Sequence, residues 1–267
     1  MYTMSAASSQ APVNASSLLG PLFLGTIVTA VLWGITNVQC HSFFSKFPNE
    51  GWVMRWSVWF LWIVDTVHLA ACVQLCYEYM VVNAGRNPFL LELPWGVAAS
   101  LFVSVFTIAM VDSWYIYRVW ILTRHSLWIV CPATMLVLGA CVALLVDAST
   151  FLDIRPGSTS KAAVTRACFY MGTSLLIVAD LFIATTLCYH FHTQRSPLRS
   201  RTNSAVQFFL RYTINTGLVN CLFGIAVIVT HATKTGGYVD VGLGLTLNGL
   251  CANTLMGSQT QRARPIP

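Results

Sequence analysis

The sequence predicts an all-α fold: a polytopic transmembrane helical bundle of seven spans, with its N-terminus outside and its C-terminus in the cytosol. Three observations predict it. Seven stretches are each long and apolar enough to cross a bilayer. Of the 267 residues, 56% are hydrophobic and only 9% are charged, against about 25% charge in soluble domains. The Lys and Arg residues also fall unequally on alternate connections.

A hydrocarbon core about 30 Å thick takes about 20 apolar residues of helix. Runs that meet this requirement are expected at 17–40, 55–77, 94–122, 127–146, 167–189, 205–230 and 238–256. With no water in the bilayer core, each backbone amide must bond within its own segment, which leaves a helix or a closed barrel. Continuous runs of this length exclude the barrel, whose strands are about 10 residues of alternating pattern. Residues 1–16 are then an external tail, 17–256 the transmembrane domain and 257–267 a cytosolic tail, with no room for a soluble domain.

Orientation follows from the basic residues, because segments rich in Lys and Arg stay on the cytosolic side. One side receives Lys46, Arg55, Arg118, Arg124, Arg195, Arg199, Arg201, Arg211, Arg262 and Arg264. The other receives Arg86, Arg155, Lys161, Arg166 and Lys234. The first side is therefore cytosolic. The tail ahead of the first span holds no Lys or Arg and carries Asn14-Ala15-Ser16, a candidate glycosylation sequon. The net charge of +6 belongs mainly to the cytosolic face and suits anionic headgroups. No basic run is dense enough for nucleic acid, so the lipid bilayer is the partner the composition implies.

Taken in order, the first run lacks a basic leader and is too long for a cleaved signal, so it reads as a retained anchor. Trp52, Trp56 and Trp59 enter the second span as interfacial anchors. The third and fourth spans are joined only through 123–126 and must be antiparallel neighbours. The connection 147–166, with Asp153, Pro156-Gly157 and a Ser/Thr run, is the only one large enough to form a lid. The basic link 190–204 contains Pro197, which breaks any continuous helix. Gly242, Gly244 and Gly249 in the last span read as close helix packing. The odd number of spans, without an internal repeat, argues against an inverted duplication of the transporter kind. Most of the nine Cys fall inside spans, and a disulfide among Cys72, Cys76 and Cys168 stays open.

Gly20-Pro21, Trp33-Gly34 and Gln39, then Trp62-Ile63-Val64-Asp65-Thr66-Val67-His68, Tyr117-Arg118-Val119-Trp120, Arg201-Thr202-Asn203, Tyr212 to Gly217 and Asn253-Thr254-Leu255 occur in that order. This series resembles a large family of seven-span proteins from mushroom-forming (basidiomycete) fungi, whose domain carries an unknown-function label. The resemblance covers nearly the whole chain. It departs at Asn203, where members usually have an acidic residue, and at Ser258 to Arg262, where they carry a Leu-Asn-Ala-Arg-like tail. It implies the fold and brings no catalytic or ligand residues with it.

An ionisable side chain in the bilayer costs about 2.5–3.5 kcal/mol on insertion scales, so each one retained there is a functional candidate. Asp65 is expected near the midplane, with His68 on the same helix face and Cys72 one turn on. Asp180, Asn215 and Asn248 fall at a similar depth. This polar layer is either a hydrated pocket for a proton, cation or polar ligand, or a set of interhelical bonds that fixes packing. Asp112, Arg118 and Arg211 are expected nearer the cytosol as an inner charge network, either a latch or a simple buried pair.

The spans contain no lysine for a retinal Schiff base. Asp65 and His68 supply too few ligands for a zinc hydrolase, and His-Glu-x-x-His and Gly-x-Ser-x-Gly are absent. No cofactor or metal is expected, and the chain is not expected to be an enzyme. The expected function is receptor-like or sensory, with a small-molecule ligand at the midplane and a cytosolic partner the sequence does not identify. A proton-coupled carrier using Asp65, His68 and Asp180 is the alternative, and an intramembrane enzyme the third.

Overall fold

The computed structural model describes residues 15–48, 51–82, 95–152, 159–193, 200–233 and 239–261. All the regular structure among them is helical: α1 (Ala15–Lys46), α2 (Trp52–Tyr77), α3 (Trp95–Leu122), α4 (Leu127–Leu152), α5 (Thr159–Thr193), α6 (Ser200–Thr233) and α7 (Val239–Gln261). The end of α2 widens into a π-helical turn at Glu78–Val82 that buries Tyr79. Five stretches are long and apolar enough to cross a membrane: Leu19–Lys46, Trp52–Val82, Gly96–Leu122, Leu127–Thr150 and Ala163–His190. The apolar part of α6 is shorter, Gly217–Thr233.

The expected lid is not formed as a long loop. Helix α4 runs on to Leu152 and α5 already begins at Thr159, so most of 147–166 is helical. The Ser/Thr run that read as loop starts a helix instead, with Thr165 meeting Thr150 at 2.9 Å across the α4–α5 pair.

The helices pack as a ring in chain order, each on the next, and α7 closes it on α1. Helices α3 and α7 also touch across the middle. The ring is apolar on the outside. On α1, Leu24, Ile27, Val28, Val31, Ile35 and Val38 are exposed, while Thr26, Thr29 and Thr36 are buried. A bundle folding in water would reverse this, because burial of apolar area drives it. The buried hydroxyls bond within their own helix: Thr26 to the Leu22 carbonyl, Thr29 to Gly25 and Thr36 to Leu32. They therefore cost little in a medium without water.

One core cluster joins Phe43 of α1, Val58 and Leu61 of α2, Val111 and Val119 of α3 and Ala252 and Leu255 of α7. A second lies toward the start of α1 and includes Leu22, Cys72, Leu75 and Leu245. Trp52, Trp56 and Trp59 are exposed on the bundle's outer surface, which suits the anchoring expected of them.

Candidate functional site

Interhelical contacts fix the depth of the polar side chains. Between α1 and α2, Trp33 Nε1 donates to Thr66 Oγ1 at 3.0 Å and Trp62 Nε1 to Asn37 Oδ1 at 2.8 Å. These two bonds set Asp65 opposite Gly34. Between α1 and α7, Gly249 packs on Leu32 and Thr29. Asp65 therefore lies within about one turn, roughly 5 Å, of the level of Cys251. Cys251 in turn shares a cavity with Asp112 and Asp180. Asp65, Asp112, Asp180 and Asn248 thus occupy one layer, although they come from four helices.

The cavity of ≈ 40 Å³ lies among α3, α5, α6 and α7. Its polar lining is Asp112, Thr173, Asp180, Asn220 and Cys251, set in aliphatic walls. Asn220 is 6% exposed and its side-chain oxygen has no partner. One water needs about 10–15 Å³ of such space, so two or three small species fit. An organic ligand of ordinary size needs about 300–1,000 Å³. No Lys, Arg or His lines the cavity among the described residues. Nor do three His, Cys, Asp or Glu side chains come together among them as a metal site.

Asp65 and His68 do not line this cavity. They sit in a neighbouring sector between α1, α2 and α7. Asp65 is 1% exposed, and neither carboxylate oxygen has a hydrogen-bond partner. The Thr36 hydroxyl faces it from α1 but donates to the Leu32 carbonyl at 3.1 Å. His68 is fully buried, with Cys72 Sγ 3.8 Å from its Nδ1.

Asp112 and Arg118 do not form the inner network. Six residues apart at about 100° each, they leave α3 in different directions. Asp112 turns to the cavity, whereas Arg118 donates to Ser258 Oγ of α7 at 3.0 Å and lies over the Tyr115 ring. Asp112 also lines the same cavity as Asp180 rather than lying deeper. Arg211 and Asn215 lie on α6, but their side chains are outside the described residues, as is Asn14. Cys72, Cys76 and Cys168 are free thiols.

Three further features lie outside the set of residues expected from the sequence. Asp147 is buried in α4 with one oxygen unpartnered. It was hidden because its run of apolar neighbours ends one residue earlier. Asn220 sits among apolar residues of α6 and carries the same signal, an amide within a span, that marked Asn215 and Asn248. His231 Nδ1 lies 2.6 Å from Asp240 Oδ2, with its ring 4.4 Å from that of Phe169, which ties α5, α6 and α7 together. That pair bridges two helix ends and cannot be read from local spacing.

These features define the class: an all-helical protein whose several apolar helices fit an integral, multi-pass membrane protein. Residues 176–264 match a family model described as "Family of unknown function (DUF6534)", so a DUF6534 domain is found there. The match spans Asp180, Asn220, Asn248 and Cys251 but not Asp65 or Asp112. No curated protein and no solved structure gives a match.

Proposed function

We propose that the chain is a seven-span integral membrane protein of the receptor-like or sensory class, whose ligand is a proton or a small monovalent cation held between Asp112 and Asp180. Its N-terminus is outside and its C-terminus cytosolic. The ring closed by α6 and α7 supports the two further spans, and the excess of basic residues on one side supports the orientation. The DUF6534 domain supports the wider resemblance to seven-span proteins of mushroom-forming fungi.

One observation carries the reading. Two carboxylates from different helices line one small, apolar-walled cavity that offers no basic side chain among the described residues. Like charges in such a place require a positive counter-charge, and an uncompensated buried charge is costly. Occupancy therefore biases the packing of α3 against α5. Helix α3 carries that bias inward to Arg118 and its bond to Ser258, near the cytosolic end where a partner would dock. The cavity's size favours a proton or bare cation over the organic ligand of the first expectation.

A carrier is the second reading, favoured by the further buried carboxylates Asp65 and Asp147. Purified protein in liposomes distinguishes the two. Spin labels on the inner ends of α3 and α5 are followed while pH and Na⁺ are varied, and proton flux is read with a trapped dye. A distance change lost in Asp180→Asn, without flux, supports sensing. Flux lost in the same variant supports the carrier. No response of either kind in the wild type overturns both.

A further inference from the structure

Asn248 lies in the same layer as the two polar sectors. On α7, Asn248, Ala252, Leu255 and Gln259 recur at spacings of four, three and four and so share one helix face. Ala252 and Leu255 belong to the core with Val58 and Leu61 of α2 and Val111 and Tyr115 of α3. That face is therefore turned between α2 and α3. Asn248 on it is 2% exposed, and neither its amide nitrogen nor its oxygen has a partner. It stands at the level of Asp65 and His68 on one side and of Asp112 on the other.

A buried primary amide with all its bonding capacity open, at the level of a carboxylate in the same state, calls for a polar partner such as an ordered water. The acceptor set around Asp65 needs a donor: its two oxygens are unpartnered and the Thr36 hydroxyl donates elsewhere. The titratable groups facing this sector are His68, Cys72 and, one turn on, Cys76 from α2 itself and, beyond Asn248, Asp112 from α3. Helix α1 turns the neutral Thr36 toward it, and the α7 face that carries Asn248 packs against α2.

We infer that Asp65 is a second proton station, connected to the Asp112–Asp180 cavity by a water held on the Asn248 amide. The inference rests on the reading of that cavity as a proton or cation site. In the transfer, the O–H bond of Asp65 breaks and its proton passes to the bridging water. The water gives up another of its protons to a carboxylate oxygen of Asp112, where a new O–H bond forms. The water is regenerated, and Asn248 Oδ1 accepts from it throughout. The layer then works as one three-carboxylate unit divided by α7. Asn248 is a positioning residue in it.

Infrared spectroscopy of the full chain in lipid nanodiscs tests this. The wild type is expected to give a protonated-carboxyl band that is lost in Asp65→Asn, moved in Asp65→Glu, and shifted on transfer from H₂O to D₂O. Asp180→Asn is expected to displace that band, and Asn248→Leu to abolish the displacement while leaving the band itself. The station is overturned if Asp65→Asn removes no exchangeable band. The bridge is overturned if Asn248→Leu leaves the displacement unchanged. Failure of the cavity reading is seen separately, as carboxyl bands that Asp112→Asn and Asp180→Asn both leave intact. Should Asp65→Asn not fold, the band movement in Asp65→Glu decides the same question.

Discussion

Gly25 of α1 and Gly242 of α7 bring two helix backbones into direct contact. A β-carbon built on Gly25 would collide with the backbone of Gly242, and one on Gly242 with the carbonyl of Pro21. The obstacle in each case is main chain, which cannot swing aside as a flexible side chain can. Two residues along, Gly244 has open space around its would-be β-carbon. Small residues that permit such an approach are the usual device for packing helices without a hydrophobic drive between them.

Gly242→Ala is therefore expected to push α1 from α7 and to destabilise the protein by about 1–3 kcal/mol, the usual cost of overpacking. Gly244→Ala is expected to be neutral or to stabilise slightly, since Ala is the better helix former by about 0.5–1 kcal/mol. Thermal unfolding in detergent compares them. Equal loss in both variants would remove the backbone contact as the explanation.

Replacing one carboxylate of the cavity relieves the repulsion between Asp112 and Asp180. Asp180→Asn is expected to raise Tm by about 2–4 °C in the absence of added cation, equivalent to about 1 kcal/mol for a chain of this size. Added Na⁺ is expected to raise the wild-type Tm and to leave that of the variant unchanged. The opposite pattern, with a lower Tm in the variant, would mean that the pair holds the helices together.

The α1–α2 seam depends on two indole donors. A double-mutant cycle of Trp33→Phe with Thr66→Val isolates one bond, worth about 0.6 kcal/mol by the average for such contacts in membranes. The same coupling should be absent between Trp33→Phe and Asn37→Leu, since the Asn37 side chain bonds instead to Trp62 Nε1 and to the Trp33 carbonyl.

At the other end of the molecule, His231→Phe keeps the packing against Phe169 and loses the bond to Asp240, whereas His231→Ala loses both. Hydrogen exchange in the adjoining turns of α6 and α7 is expected to rise in both variants, more in the Ala one. The ring contact accounts for the difference and is worth about 0.5–1.5 kcal/mol. Equal exchange in the two would assign the whole effect to the carboxylate.

The fold was largely legible, because solvation alone decides it. Apolar length marked the helices, and five of them meet the length and hydropathy of a span. What stayed hidden depended on which neighbour each helix face meets, which a linear count does not carry. Asp112 and Arg118 looked like partners because they are close in sequence, yet they point to different helices. Asp180 was grouped with Asp65, but the carboxylate that shares its cavity is Asp112. The lid at 147–166 was read from Ser, Thr, Pro and Gly content, and helix propagation from both sides consumed most of it. Polarity in a membrane protein identifies candidates, while the helix that faces each one has to come from three dimensions.

The seam at Gly25 and Gly242 also has a meaning for biogenesis. It joins the earliest helix of the bundle to the latest, so the ribosome must release nearly everything between them before the circle can shut. Until then, the carboxylates of the middle layer have no wall on one side and are open to lipid or to insertion factors.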